Sequence, residues 1–309
     1  MGVRFGVHAG LQNTTTDELR SLWRDIEGMG TQSARFDWIS IWDHFYAADL
    51  TGGAQCLEAV ATHAALALST ERVRCGSLVY SIGYRHPAVI ANSIATIDQL
   101  SGGRVVLGLG AGWCKPEYDA YGIPFPSAGV RLRQLDEGIQ CVKRLLNEES
   151  VDFDGEFFTL TDARCEPSPA QTPLPVWVGG GGEKVTLRVA AAHADGWNVP
   201  FISADDFRHK VEVLAKHCSD VGRDPATIEK GVNLGMAFTE ESAVAQFGAI
   251  LPAVRPGLLS GSPQEMTDMI GGYVDAGADW IILAARAPFD VDAIHRFAAE
   301  VIPSVSVAR

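Results

Sequence analysis

The chain has no cysteine pair at C-x-x-C spacing and no Cys/His spacing of the kind that holds zinc. Its six cysteines, Cys56, Cys75, Cys114, Cys141, Cys165 and Cys218, are scattered. That pattern argues against a disulfide framework and for reduced thiols in a cytoplasmic protein. Positive charge is scarce: 25 Lys and Arg stand against 38 Asp and Glu, a formal net charge of −13 over 309 residues. Such a chain repels phosphate backbones, so a general nucleic-acid partner is excluded. No apolar run nears the roughly 18 residues of a membrane helix. Met1-Gly2-Val3-Arg4-Phe5 opens without a secretory hydrophobic region, and Gly6 stands where a myristoylation signal needs Ser or Thr. Also missing are G-x-S-x-G, H-E-x-x-H, a Walker motif, and an H-x-H after the first strand. A serine hydrolase and a metal enzyme are therefore not expected.

What is present is a normal globular balance, 47% hydrophobic and 20% charged, enough to bury a large core. Apolar runs alternate with helical patterns along the whole length. Strand-like runs fall at Phe5–Val7, Trp38–Trp42, Val73–Tyr80, Val105–Leu109, Val176–Val178, Gly196–Val199, Val232–Phe238 and Trp280–Leu283. Between them, Leu19, Leu22, Trp23 and Ile26 follow a cap at Thr16, and Cys56–Ser69 is Ala-rich and helical. Pro87 opens a helix carrying Ile90, Ile94 and Ile97, and Leu132–Leu146 is amphipathic. Helices at Glu183–His193, Asp205–Val221, Pro263–Ala276 and Val291–Val301 complete the set. Eight strands, each followed by a helix, in one domain over residues 1–309 predict an α/β fold, the (β/α)8 TIM barrel. A doubly wound fold would want G-x-G-x-x-G after the first strand, where the chain has His8-Ala9-Gly10-Leu11. Two interruptions are expected: a Pro-rich loop at Trp113–Gly129 after strand 4, and a hairpin at Val151–Ala163 before strand 5, turning at Asp154-Gly155. Asp37-Trp38, Asp195-Gly196-Trp197 and Asp279-Trp280 repeat one turn chemistry at the starts of strands 2, 6 and 8.

A barrel of this kind does its chemistry where the strands end. Strand 5 ends in Gly179-Gly180-Gly181-Gly182, read as running straight into a helix. Its backbone donors and the positive helix end suit a phosphate or another anion. Strand 4 ends in Gly108-Leu109-Gly110-Ala111-Gly112, which leaves room for a flat ligand. Strand 2 ends in Asp43-His44, an acid/base pair or a ligand-orienting pair. His8 and His86 are weaker candidates at the same rim, and Cys114 is the one cysteine placed to touch a ligand.

These segments together resemble the luciferase-like monooxygenase superfamily. The resemblance rests on Ile41-Trp42-Asp43-His44-Phe45, Gly76-Ser77-Leu78-Val79, Arg85-His86-Pro87-Ala88, Asp98 to Arg104, Gly108 to Trp113, Tyr121 to Pro126, and Val178 to Gly182. It covers nearly the whole chain and is strongest for the branch that uses coenzyme F420. It implies a small-molecule oxidoreductase, with Asp43 and His44 against the deazaflavin and catalytic. It also implies a non-prolyl cis peptide at Leu78-Val79 backing the ring, Ala111 and Gly112 beside it, and Gly179, Gly180, Gly181 and Gly182 on the cofactor phosphate. The anionic tail of F420 needs positive charge, for which Lys115, Arg131, Lys184 and Arg286 are candidates.

One departure bears on substrate. The family's sugar-phosphate dehydrogenases carry a Glu acid where this chain has Trp113, and Glu117 lies shifted beyond it. Trp113, with His8 and Glu117, is read as walling the substrate pocket. The leading expectation is hydride transfer between F420 and a small organic substrate, in a homodimer. An FMN-dependent monooxygenase is the runner-up, and a non-catalytic flavin or deazaflavin binder the third reading. Thr31–Arg35 reads as an extra stretch on the face away from the chemistry.

Overall fold

A computed structural model describes residues 2–30, 34–46 and 55–307. Most of the Thr31–Arg35 stretch lies outside the described residues. Eight parallel strands form a closed barrel: β1 (Arg4–Ala9), β2 (Trp38–Ile41), β3 (Arg74–Ser77), β4 (Val105–Gly110), β5 (Val176–Gly179), β6 (Gly196–Pro200), β7 (Glu229–Ala237) and β8 (Trp280–Ala285). Neighbours pair in sequence order, and β8 pairs back onto β1 with Trp280 opposite Arg4. The outer ring is α1 (Thr16–Gly28), α2 (Ala59–Ser69), α3 (Pro87–Ser101), α4 (Ala128–Asn147), α5 (Thr186–His193), α6 (Ala204–Asp220), α7 (Pro263–Asp275) and α8 (Val291–Glu300). This is the expected TIM barrel. Its strands are near-continuous apolar runs because both faces are covered, and every residue of β4 and of β8 is buried.

Sequence periodicity located the elements but missed several boundaries. The α1 cap is Thr15, not Thr16: its hydroxyl accepts from the Glu18 N–H while the Glu18 carboxylate accepts from the Thr15 N–H at 2.7 Å, a capping box. α2 begins at Ala59 under the Glu58 carboxylate, three residues after Cys56. The third strand is broken. It stops at Ser77 and resumes at Tyr80–Ser81, which pairs with Leu109 and Gly110 of β4. The Trp113–Gly129 segment contains a helix at Lys115–Tyr121. The hairpin is present, Val151–Asp154 against Thr159–Ala163.

A further interruption had no counterpart in the sequence reading. Between β7 and α7 the chain adds helices at Glu240–Phe247 and Leu251–Val254, then a strand at Leu258–Ser260 that extends the end of β7.

The bottom of the barrel is plugged by three indoles. Trp38 meets Trp177 at 4.8 Å and Trp280 at 5.2 Å between ring centroids, both edge to face. Backbone must give way to them: a Cβ on Gly196 would lie 2.1 Å from the Trp177 ring. Beneath, Glu229 accepts from Arg4, from Arg74 at 3.2 Å and from the Trp280 indole at 3.2 Å. The second Asp-Trp repeat differs, since Trp197 faces outward and stacks on Phe207 of α6.

Candidate active site

The top of the barrel opens on a cavity of about 580 Å³, within the usual range for a small-molecule site. The break in the third strand turns Leu78 and Val79 toward it, and the Leu78–Val79 peptide is cis, as the resemblance implied. The neighbouring strands make room for that turn by lacking side chains. A Cβ on Gly110 would sit 2.5 Å from a Val79 methyl, and one on Gly179 2.6 Å from the other. Gly112 has φ +75°, and a Cβ there would strike the Tyr118 hydroxyl. Ala111 lines the cavity beside it.

His44 is held from behind. Its Nδ1 lies 2.7 Å from Oε2 of Glu117, a carboxylate delivered by the Lys115–Tyr121 helix and sealed from solvent. The same carboxylate accepts from the Phe45 N–H at 2.6 Å, the Tyr46 N–H at 3.0 Å and the Tyr84 hydroxyl at 2.7 Å. Burial alone would raise the Glu117 carboxyl. The hydrogen bond and charge of His44, with the Tyr46 and Tyr84 donors, outweigh burial and hold it at about 2. Glu117 is therefore the acceptor and His44 Nδ1–H the donor. In the neutral ring, Nε2 then carries the lone pair. His44 lines the cavity, edge-on to Trp113 at 5.4 Å. Sequence reading singled out both residues but could not pair them across 73 positions.

Asp43 does not pair with His44. Its carboxylate is clamped by Arg85, at 2.7 and 3.1 Å, and accepts from the Ser81 N–H at 3.0 Å. Burial raises this carboxyl and Arg85 opposes the rise. Arg85 also reaches Glu58 at 2.5 Å, so one guanidinium ties the end of β2 to the starts of α2 and α3. His8 lies in the cavity wall, hydrogen-bonded to Ser40 at 2.9 Å. Burial first, and the nearby His44 second, lower its pKa to about 3, so the ring is neutral. His86 has a structural place: it caps α3, accepting from the Ala88 N–H.

The glycine run does not enter a helix directly. Glu183–Val185 form a turn and α5 starts at Thr186. Gly179 and Gly180 line the cavity, with Thr186. Gly180 has φ +126°, and its carbonyl accepts from the Trp197 indole at 2.8 Å, which fixes the run from outside. Gly181 and Gly182 lie beyond the lining. A Cβ on Gly181 would meet only Val199 at 3.4 Å and the Lys210 stem at 3.9 Å. Lys210, from α6, is the cation sequence reading missed; it is held by Glu183 at 2.5 Å. Of the cations expected near the tail, Lys115 pairs with Asp119 on the surface and Arg131 donates to the Gly112 carbonyl. Arg286 lies in the cavity wall over the Trp42 indole at 5.6 Å.

Trp113 is 65% exposed at the cavity mouth, where it can cover a ligand. Cys114 is buried and begins the helix that carries Glu117. His44, Cys114 and Glu117 offer ligand atoms within 4.8 Å of one another, a grouping that spacing along the chain did not suggest. The Glu117 oxygens already accept four donors, and burial, then Glu117 itself, pushes the Cys114 thiol up to about 11. The set is saturated as it stands.

Residues 29–259 match the family described as luciferase-like monooxygenase. An F420-dependent glucose-6-phosphate dehydrogenase of Kineococcus radiotolerans is 28% identical over 271 residues, covering 77% of this chain and 80% of the relative. An FMNH2-dependent dimethylsulfone monooxygenase of Pseudomonas putida is 26% identical, covering 72% and 61%. Among solved structures, an F420-dependent secondary alcohol dehydrogenase in complex with an F420-acetone adduct superposes with a TM-score of 0.84 at 22% identity, covering 99% of each chain.

Proposed function

Because the chain belongs to the luciferase-like monooxygenase family, we propose that it is an oxidoreductase that moves a hydride between coenzyme F420 and a small organic substrate. The observation that carries the reading is His44, locked by Glu117 at the wall of the strand-end cavity beside the Leu78–Val79 turn. The choice of F420 over FMN is supported by likeness to the F420-dependent dehydrogenase across four fifths of that relative.

The residues present fit the cofactor. Leu78 and Val79 would back its ring, with Ala111 and Gly112 beside it in the same cavity wall. The Gly180 N–H is already given to the Asn198 carbonyl at 2.9 Å, so Gly181 and Gly182 would offer the backbone donors to the phosphate, with the Thr186 hydroxyl and Lys210 nearby. When bound, the deazaflavin accepts or returns a hydride. The chain handles the matching proton. As an alcohol becomes a carbonyl, its carbon loses the hydride and its hydroxyl loses a proton to His44 Nε2. The charged ring is stabilised through Nδ1–H by Glu117. In the reverse direction His44 returns that proton to the carbonyl oxygen. Asp43 is a positioning residue, holding the end of β2 through Arg85. Trp113, edge-on to His44 at 5.4 Å, stands where it can cover a bound substrate.

Paired assays test this reading. One supplies reduced F420 and a panel of small ketones without oxygen; the other supplies reduced FMN with oxygen. Substrate-dependent oxidation of F420 under anaerobic conditions is expected. Turnover that requires FMN and oxygen would overturn the reading in favour of the monooxygenase.

A homodimer and a cytoplasmic location belong to the same proposal. All six cysteines are free thiols. Among the described residues no helix is long and apolar enough to cross a membrane. The outward faces of α2 and α3 carry no charged side chain, and Leu68, Val89 and Leu100 stand exposed on them. In a chain of net charge −13, that is where a second copy can approach at least electrostatic cost.

A further inference from the structure

The segment between β7 and α7 decides what the cavity can hold. It is a small folded cap. Thr239 and Ser242 form a capping box for the Glu240–Phe247 helix. Phe247, Leu251, Val254 and Leu258 then pack on Ala237, Ala243 and Ala284 as a separate apolar cluster. The seat is tight: a Cβ on Gly235 would lie 2.6 Å from a Val254 methyl, and one on Gly257 2.8 Å from the Phe201 backbone. The cap is thus pinned to β7 and to the end of β6.

It sorts its side chains by polarity. Its charged residues, Glu240, Glu241 and Arg255, are exposed and away from the cavity, with Arg255 paired to Glu240. Toward the cavity it sends Ile250, Ala253 and Val254, which line it with Phe201 and Trp113. The ionisable groups in the cavity wall are Asp43, His8, His44 and Arg286, with Tyr84 and Cys114, whose hydroxyl and thiol are kept protonated by burial and by Glu117. Asp43 is clamped by Arg85, His8 is a neutral ring bound to Ser40, and His44 is tied to Glu117. Arg286 is 7% exposed and lies over Trp42. Binding the phosphate of a sugar in place of water needs several converging donors. The cap supplies none.

We propose that the substrate is an uncharged alcohol or carbonyl compound with an apolar body seated against Ile250, Ala253 and Val254, and not a sugar phosphate. The proposal rests on the oxidoreductase reading for the reaction but not for the binding itself. Its test is therefore made on the purified protein without cofactor. Isothermal titration is run with methyl ketones from butan-2-one to octan-2-one and with glucose 6-phosphate. Saturating inorganic phosphate is present throughout to fill the glycine cradle.

Affinity should rise about fourfold per added methylene until the cavity is full, with no heat from glucose 6-phosphate. Ala253 is exposed at the cavity, so Ala253→Lys should fold and weaken octan-2-one at least tenfold. Ile250→Ala should weaken octan-2-one several-fold and leave butan-2-one unchanged. Glucose 6-phosphate binding more tightly than octan-2-one, or affinity independent of chain length, would overturn the proposal. F420 binding by the same protein is measured separately and reports on the cofactor alone.

Discussion

At the residue scale the proposed chemistry turns on His44, an imidazole in the cavity wall with Nδ1 tied back. The tie is Glu117, whose carboxylate also gathers the Phe45 and Tyr46 N–H groups and the Tyr84 hydroxyl. His44→Ala should lower kcat by about 10²–10⁴, the usual worth of a positioned acid/base group, in a protein that still folds but melts lower because buried Glu117 loses a partner. A collapse in stability with activity retained would make His44 structural. Glu117→Gln should lower kcat at least tenfold and leave F420 affinity within twofold, as read by a full titration.

Acid should weaken the fold through the same neighbourhood. The Glu117 carboxyl drops from an ordinary 4.5 to about 2 on folding, so the stability it contributes is present above 4.5 and is lost as pH falls toward 2. His8 drops from 6.5 to about 3, so the unfolded chain takes its proton first, and stability declines as pH falls from 6.5 toward 3. Denaturant titrations at pH 7, 5.5 and 4.5 should show that decline, and His8→Asn should make it shallower, with His63, lowered by burial from 6.5 to about 4, carrying the rest. An equally steep slope in the variant would contradict the assignment. His44 could be singled out in the sequence because its neighbours form a motif. Glu117 was read as part of the pocket, but its pairing with His44 could not be read, because a contact across 73 residues leaves no local pattern.

At the scale of elements, strand ends and the hairpin before β5 were readable, while the helix at Lys115–Tyr121 and the cap after β7 were not. Apolar runs of period-independent hydrophobicity marked β4 and β8, and four glycines marked the end of β5. Glu183 and Lys184 are good helix formers, and they hid the turn that delays α5 to Thr186. The cap after β7 escaped notice because its helices are too short to show a period and its core is shared with the barrel. The glycine run makes a separable prediction. A side chain on Gly181 meets only ordinary contact with Val199, so Gly181→Leu should fold normally yet lower F420 affinity at least tenfold. Unchanged affinity would reduce the run to a turn.

For the whole molecule, eight repeats of strand and helix fixed the barrel because each must bury one apolar face against its neighbours. What sequence could not supply was which tryptophans turn inward. Trp38, Trp177 and Trp280 fill the floor, and Gly196→Ala, which drives a methyl into Trp177, should cost about 1–3 kcal/mol or more in a denaturant titration. Leu68→Glu should shift the species seen in size-exclusion chromatography from dimer to monomer, and an unchanged elution volume would place the interface elsewhere.

The central claim is that the strand-end cavity holds F420, and a competition experiment addresses it most directly. The protein is equilibrated with equal concentrations of F420 and FMN, separated from free ligand, and the retained cofactor is identified by mass spectrometry. F420 should be retained, be displaced by FMN only in large excess, and bind more weakly as salt screens its anionic tail. Retention of FMN with no bound F420 would contradict the account.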